Sequence, residues 1–321
     1  MPSLKEIKNR ISSVNSTRKI TSAMKMVASS KLHRAQVMIG NMLPYETLLE
    51  HILKTFLASE AENNTPYDDV RKVHRVAFVV YSSNSSLCGG FNANIIKMMM
   101  HALEEYKDLG KENIIIYPIG RKVAEKVDKL GYQSAGDFTE LADKPNVQEC
   151  INIASTLLRQ FAEGEIDRVE MFYHHFKSAG SQILTRKTFL PFDLQSELDE
   201  DKERDLTTNV VTKKAQEYLK KKQQKQEKKH EEAKPLNDNF IVEPDMDTVL
   251  GKLIPKLAHL MIYTALLDSN ASEHAARMVA MQTATDNADE LLRELNLQFN
   301  KSRQQAITSE LLDIVGGSVN N

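Results

Sequence analysis

The chain has 321 residues, and 42 Lys and Arg against 44 Asp and Glu leave a formal charge of −2. Bulk charge therefore does not point to nucleic acid. Cys88 and Cys150 have neither zinc nor CxxC spacing, which fits free thiols in a reducing compartment. No apolar run approaches the ~20 residues of a membrane span. MPSLKEIKNRI is neither a signal peptide nor a transit sequence, so the mature chain is expected to begin here, in a cytoplasm.

Residues 3 to 57 read as one long helix, opened by a capping box of Ser3 and Glu6. Pro44 should kink it or mark a break. Leu4, Ile7, Ile11, Val14, Thr17, Ile20, Met24 and Val27 form an apolar seam, with one three-residue step out of phase between Val14 and Thr17. The first part of this helix is basic: as far as Arg34, Lys5, Lys8, Arg10, Arg18, Lys19, Lys25, Lys31 and Arg34 face only Glu6. Such a face suits nucleic acid, an acidic lipid surface, an acidic protein or plain solvent.

The period changes at Val73. RVAFVVY reads as a strand buried on both faces, followed by the turn SSNSSLCGGFN and a helix from Ala93 to Leu109. NIIIYPIG is a second strand, RKVAEKVDKLG a helix closed by Gly131, and residues 146 to 163 a third helix. DRVEMFYHHF and SQILTRKTFLP are two further strands. Strand and helix alternate, so residues 73–194 form an α/β domain around a mostly parallel sheet. Residues 195–235 are highly charged and almost free of apolar side chains; they suit a solvated helix or hairpin, or disorder. FIVEP in 236–246 resumes strand character.

From 247 to 321 a second long helix carries the seam Leu250, Leu253, Leu257, Leu260, Thr264, Leu267, Ala271, His274, Met278, Met281, Thr285, Ala288, Leu292, Leu295 and Phe299. Pro255 either moves its start to Ile254 or kinks its first turns. At ~1.5 Å per residue the helix is on the order of 100 Å long. It needs a long partner, and the helix at 1–57 is one. Leu and Ile dominate the early seam; Ala, Met, Thr and His follow, and small or adaptable residues suit a further contact beyond the pair. The architecture is therefore two chain ends wound together with an α/β domain inserted between them.

Chemistry is sparse. SSLCGGFNAN occupies the place of a phosphate loop, yet it is neither GxGxxG nor GxxxxGK[ST]; a tight turn that needs Gly89 and Gly90 is expected, with Cys88 a small core residue. His174 and His175 should point to opposite faces of their strand, which disfavours a shared metal. His274 is expected to be a packed or hydrogen-bonded helix residue. No carboxylate pair or triad stands out, and no cofactor or metal site is expected. Near the C-terminus, Arg303, Gln304, Thr308 and Glu310 offer directional polar contacts, and Ile307, Leu311, Ile314 and Val315 an apolar tip.

IKNRISSVNSTRKITSAMKMVASSKL, SSLCGGFN and ASEHAARMVAMQTATDNADELLRELNLQFNKSRQQAITSELLDIVGG resemble, in this order, the conserved stretches of the γ subunits of F-type ATP synthases. The resemblance covers nearly the whole chain. It implies α/β class, with a long antiparallel, left-handed coiled coil of the terminal helices and an inserted Rossmann-like domain. The implied role is the central rotor shaft. It turns with proton flow through the membrane c-ring and drives conformational change in the catalytic β subunits, and is itself non-catalytic. A non-rotary coiled-coil scaffold is the alternative. Implied partners are the α and β subunits, an ε subunit and the c-ring, on the cytoplasmic face of a bacterial inner membrane. By matching position, Met24, Lys25, Arg277, Arg303, Gln304, Thr308 and Glu310 are implied β-subunit contacts, and Phe240 and Glu243 contacts near the c-ring. The family commonly has Tyr where Phe240 stands. Residues 195–235 depart from many bacterial members; without a cysteine they exclude a thiol switch, and they act either as a surface hairpin that restrains reverse rotation or as an insertion without a role.

Overall fold

The computed structural model describes residues 3–58, 67, 69–192, 243 and 246–318; side chains 50, 54–58, 246, 247 and 313–318 are not considered. Residues 195–235 and most of FIVEP, including Phe240, lie outside the described residues. The chain forms two compact units, Ser29–Ala276 and Met1–Ala28 with Arg277–Asn321.

Helix α1 spans Leu4–Ala58. Its capping box is complete: the Ser3 amide donates to Glu6 Oε2 at 2.8 Å, and the Glu6 amide to Ser3 Oγ at 3.3 Å. The last helix, named α6 below, spans Met246–Ser318. Pro44 does not end α1, and α6 begins well before Ile254 and runs through Pro255. In both helices the residue four positions earlier, whose carbonyl meets the pyrrolidine ring, is a glycine (Gly40 and Gly251). Without a Cβ there, the backbone yields to the ring more readily.

Between these helices lie β1 (Val76–Tyr81), α2 (Phe91–Glu105), β2 (Ile114–Ile119), α3 (Arg121–Leu130), β3 (Gln133–Ser134), α4 (Thr139–Asp143), α5 (Val147–Ala162), β4 (Arg168–Ser178) and β5 (Ser181–Leu190). The helix expected from Ala93 to Leu109 begins at Phe91 and ends at Glu105, and a 3-10 turn covers Lys107–Leu109. The sheet order is β3-β2-β1-β4-β5; the first four strands are parallel, and β5 pairs antiparallel with β4 as a hairpin. Gly131 closes α3 at φ 71°, as expected. β3 and α4 escape the sequence reading because both are too short to show a period.

β1 is buried at every position, as its unbroken apolar run requires. Val76, Phe78 and Val80 point to one face, against Ile95, Met99 and Ala102 of α2 and Val123 and Val127 of α3. The other face is covered by α5 and by α6 itself. Between Leu257 and Glu273 most of α6 is buried, far more than a single seam would bury. This also explains a stretch of α6 whose mean hydropathy of 1.3 would suffice for a membrane span, which the sequence reading had excluded. More than half of that stretch is buried inside the protein.

Candidate functional site

The polar groups of the turn after β1 bond to one another, to Asn92 and to α4. Asn92 Oδ1 accepts from the Ser83 amide at 3.0 Å, and Asn92 Nδ2 donates to Ser83 Oγ at 2.8 Å and to Cys88 Sγ at 3.1 Å. Asn84 Nδ2 reaches the Thr139 carbonyl and Asp143, both at 2.7 Å. Leu87 and Gly89 take positive φ, 67° and 59°. Gly90 does not: it sits at φ −79° as the residue before α2, so the expectation that both glycines are needed for backbone reasons holds for Gly89 alone. Phe91 stacks on His174 at 4.3 Å, beside the point where strand order reverses between β1 and β4. A doubly wound domain places ligands in that crevice; here protein side chains occupy it. Burial holds the His174 imidazole down to about 4, so it is neutral.

His175 points the other way, as alternation requires, and forms the joint between sheet and α6. Its Nδ1 lies 2.7 Å from Asp268 Oδ2, and Asp268 is buried. Ser272 Oγ donates to the His174 carbonyl at 3.1 Å, and the Tyr81 hydroxyl to the Ile262 carbonyl at 3.0 Å. Ser155 Oγ and His259 Nε2 tie α5 to α6 at 2.9 Å. The sequence reading missed this joint. Its signal is the polar run DSNASE inside an apolar helix, where Asp268, Ser269, Asn270, Ser272 and Glu273 are all buried. In the same unit Ile39, Met42 and Glu46 of α1 line a small space with Thr264, Leu267 and Asp268 of α6. His274, of which a packed or bonded role was expected, is largely covered, with its ring 3.9 Å from Glu273.

In the other unit the helices run antiparallel. Arg18 Nε meets Asp289 Oδ1 at 2.5 Å, and Thr21 Oγ1 lies 2.8 Å from Thr285 Oγ1, so a step up α1 matches a step down α6. The α6 seam follows the expected positions, with Met281, Ala288 and Leu295 buried and Thr285, Leu292 and Phe299 half-buried. The α1 seam does not. After Val14 it passes through Arg18, Thr21, Lys25 and Ala28, and continues as Leu32, Ala35 and Ile39. Thr17, Ile20 and Val27 face outward, Ile20 at 60% and Val27 at 58% exposure. There is no step out of phase: the three-four alternation is unbroken, and polar residues paired across the seam stand where apolar ones were sought.

Of the remaining candidates, Met24 and Lys25 are half-buried, and Arg277 is buried. Arg303, Gln304, Thr308 and Glu310 are exposed, and Thr308 Oγ1 donates back to the Gln304 carbonyl at 2.9 Å. Ile307, Leu311 and Leu312 are exposed beside them. Glu243 is exposed in a bend. Among the described residues no cluster of three His, Cys, Asp or Glu side chains could hold a metal.

The fold and these faces define a class: a protein of two antiparallel terminal helices around an inserted α/β domain, one helix being also a layer of that domain. The family model described as ATP synthase matches residues 3–319. The ATP synthase gamma chain of Phocaeicola vulgatus is 54% identical over 320 residues, 99% of this chain and 100% of that one. That of Bacteroides thetaiotaomicron is 50% identical over 319 residues, again 99% and 100%. The chain belongs to the ATP synthase gamma-chain family. Its fold is similar to a chain in the Euglena gracilis mitochondrial ATP synthase OSCP/F1/c-ring structure, with TM-score 0.59, 20% identity, and 98% and 93% coverage. It is also similar to one in the Tetrahymena thermophila central stalk/c-ring structure, with TM-score 0.51, 21% identity, and 83% and 99% coverage.

Proposed function

We infer that this chain is the central rotor shaft of an F-type ATP synthase. It couples proton flow through a membrane c-ring to conformational change in catalytic β subunits. The observation that carries the reading is the double life of α6, a buried layer of the sheet domain over Leu257 to Glu273 and a half-exposed partner of α1 beyond Met281. Torque delivered to the domain enters α6 through the Asp268, Ser272 and Ile262 contacts with the sheet, without a loop between.

In this role the chain binds no nucleotide and performs no bond chemistry. It acts by differential contact: each orientation of an asymmetric surface favours a different state of each β subunit. Met24, Lys25, Arg277, Arg303, Gln304, Thr308 and Glu310 are the proposed β-subunit contacts, and Phe240 and Glu243 the contacts near the c-ring. The exposed Ile307, Leu311 and Leu312 suit an apolar sleeve of the α and β subunits. An ε subunit and the c-ring bind the domain end, and the complex sits on the cytoplasmic face of the bacterial inner membrane. The proposed division is 1–57 and 247–321 for the shaft, 73–194 with 236–246 for the domain and 195–235 as an insertion.

Native mass spectrometry of the affinity-tagged complex from membranes tests the assembly: one copy with an alternating α/β ring is expected. A disulfide fixing the tip to a β subunit should then stop coupled synthesis until it is reduced. A fixed tip that leaves synthesis untouched would favour the static scaffold.

A further inference from the structure

Asp268 is a carboxylate buried in the layer that α6 forms on the sheet, and its neighbours Leu266, Leu267 and Ala271 are buried with it. No metal-binding cluster among the described residues accounts for it. It meets His175 of β4, whose Nδ1 lies 2.7 Å from Asp268 Oδ2; the two side chains are 2% and 13% exposed. An ionised carboxylate only accepts, so the imidazole is the donor. As an adhesive such a pair is a poor choice, because apolar side chains of similar volume in its place are often neutral or stabilising. What it adds is direction. Apolar burial is non-directional, so α6 could roll on the sheet by exchanging one apolar contact for another. A roll of ~20° carries a group at the helix surface, ~5–6 Å from the axis, about 2 Å sideways. That takes a hydrogen bond out of its range of length and angle and leaves a buried acceptor unpaired. Ser272, four residues on and so on the same face of α6, donates to the His174 carbonyl at 3.1 Å. Two side chains of the helix therefore grip neighbouring residues of one strand. The bond from the Tyr81 hydroxyl to the Ile262 carbonyl, at 3.0 Å, acts along the helix axis and resists sliding rather than roll.

We propose that Asp268 is a positioning residue of the rotor: its bond to His175, backed by Ser272, fixes the rotational setting of α6 on the sheet, so that the shaft follows the turning of the domain without lost motion. The proposal rests on the rotor reading and adds to it the contact that sets the angle. It assigns the buried pair a mechanical task that apolar packing of equal stability would not perform.

The test is single-molecule rotation of the ATP-driven complex of this chain with its α and β subunits, the ring fixed to glass and a gold bead attached to the sheet domain. The readout is the angular variance of the bead within each catalytic pause. Asp268→Ala should raise it about twofold, since one of two like hydrogen-bonded anchors against roll is lost. Asp268→Asn keeps an oxygen that accepts from His175 and should restore the parent's value. Val123→Ala truncates the core on the other face of the sheet and should lower the melting temperature without widening the pauses. A role in stability alone would widen the pauses in both alanine variants. An Asp268→Ala variance equal to the parent's, an equal rise in Val123→Ala, or no recovery in Asp268→Asn overturns the proposal. If the Asp268→Ala complex does not assemble, Ser272→Ala is read in its place against the same outcomes. A parent complex that hydrolyses ATP without turning the bead would instead remove the rotor reading itself.

Discussion

One helix lives in two environments. Over Leu257 to Glu273, α6 is buried on most sides, and even its polar residues are buried; Asp268 and Ser272 each meet a partner on the sheet. Beyond Met281 only every third or fourth residue is covered, and Leu297, Ile307, Leu311 and Leu312 face outward. The difference teaches where each kind of information is stored. In the domain a side chain is specified by what it packs against within the chain. On the helix pair formed by residues 1–28 and 277–321, many side chains, including Leu297, Ile307, Leu311 and Leu312, have no packing partner within the chain that would specify them. Substitutions should separate accordingly: those in the domain act on stability, those on the outer faces act on the assembled machine.

The sharpest test on the domain side is Phe172→Ala. This ring is fully buried, packs edge-on to Phe78 at 4.9 Å and lies under the Arg186 guanidinium. Its removal should lower unfolding free energy by about 3–5 kcal/mol in denaturant titration. A loss below about 1 kcal/mol would mean the domain core is softer than its packing implies. Next in size is the sheet–α6 joint. Asp268→Ala leaves His175 facing an empty acceptor site and should cost about 1–3 kcal/mol. As a joint, it should also raise hydrogen exchange in the turns of α6 around it, which Phe172→Ala need not do.

The third test uses pH. His174 is held at about 4 against 6.5 for an exposed imidazole, by burial. The folded form therefore binds a proton less readily than the unfolded form. Its contribution is complete above about pH 6.5 and is lost as pH falls towards 4. Between neutrality and about pH 5 this amounts to roughly 2 kcal/mol. His174→Phe keeps a ring on Phe91 and should flatten that part of the stability–pH curve; an unchanged slope would mean that other groups set it.

The legible and illegible parts of the sequence follow the same divide. β1 could be read from VAFVVY because burial on both faces needs an unbroken apolar run, and α3 could be bounded because Gly131 supplies its left-handed cap. The terminal pairing followed from seam length alone. The α1 seam was misplaced beyond Val14 because apolar periodicity was the only signal used. Ile20 and Val27 are apolar without facing α6, whereas Arg18 and Thr21 face it and are polar. An exposed apolar row such as this one competes with the seam in any single-sequence reading. The Asp268–His175 joint was invisible for a different reason: 93 residues separate the two, and neither has a local motif.

That misplacement leads to the smallest predicted effect, on the helix-pair side. Thr21 and Thr285 share one hydrogen bond across the seam, and Thr285 also donates to the Met281 carbonyl at 2.7 Å. Thr21→Val alone leaves one hydroxyl without its cross-helix partner and should cost about 1 kcal/mol. Thr285→Val should cost a similar amount. The double replacement keeps the shape and removes both polar groups, so it should come within about 0.5 kcal/mol of the parent, giving a coupling of about 1 kcal/mol in a double-mutant cycle. A cycle that closes with no coupling would mean the two hydroxyls do not meet in solution. It would also reopen the rotational setting of α1, since Thr21 on the seam is what turns Ile20 and Val27 outward.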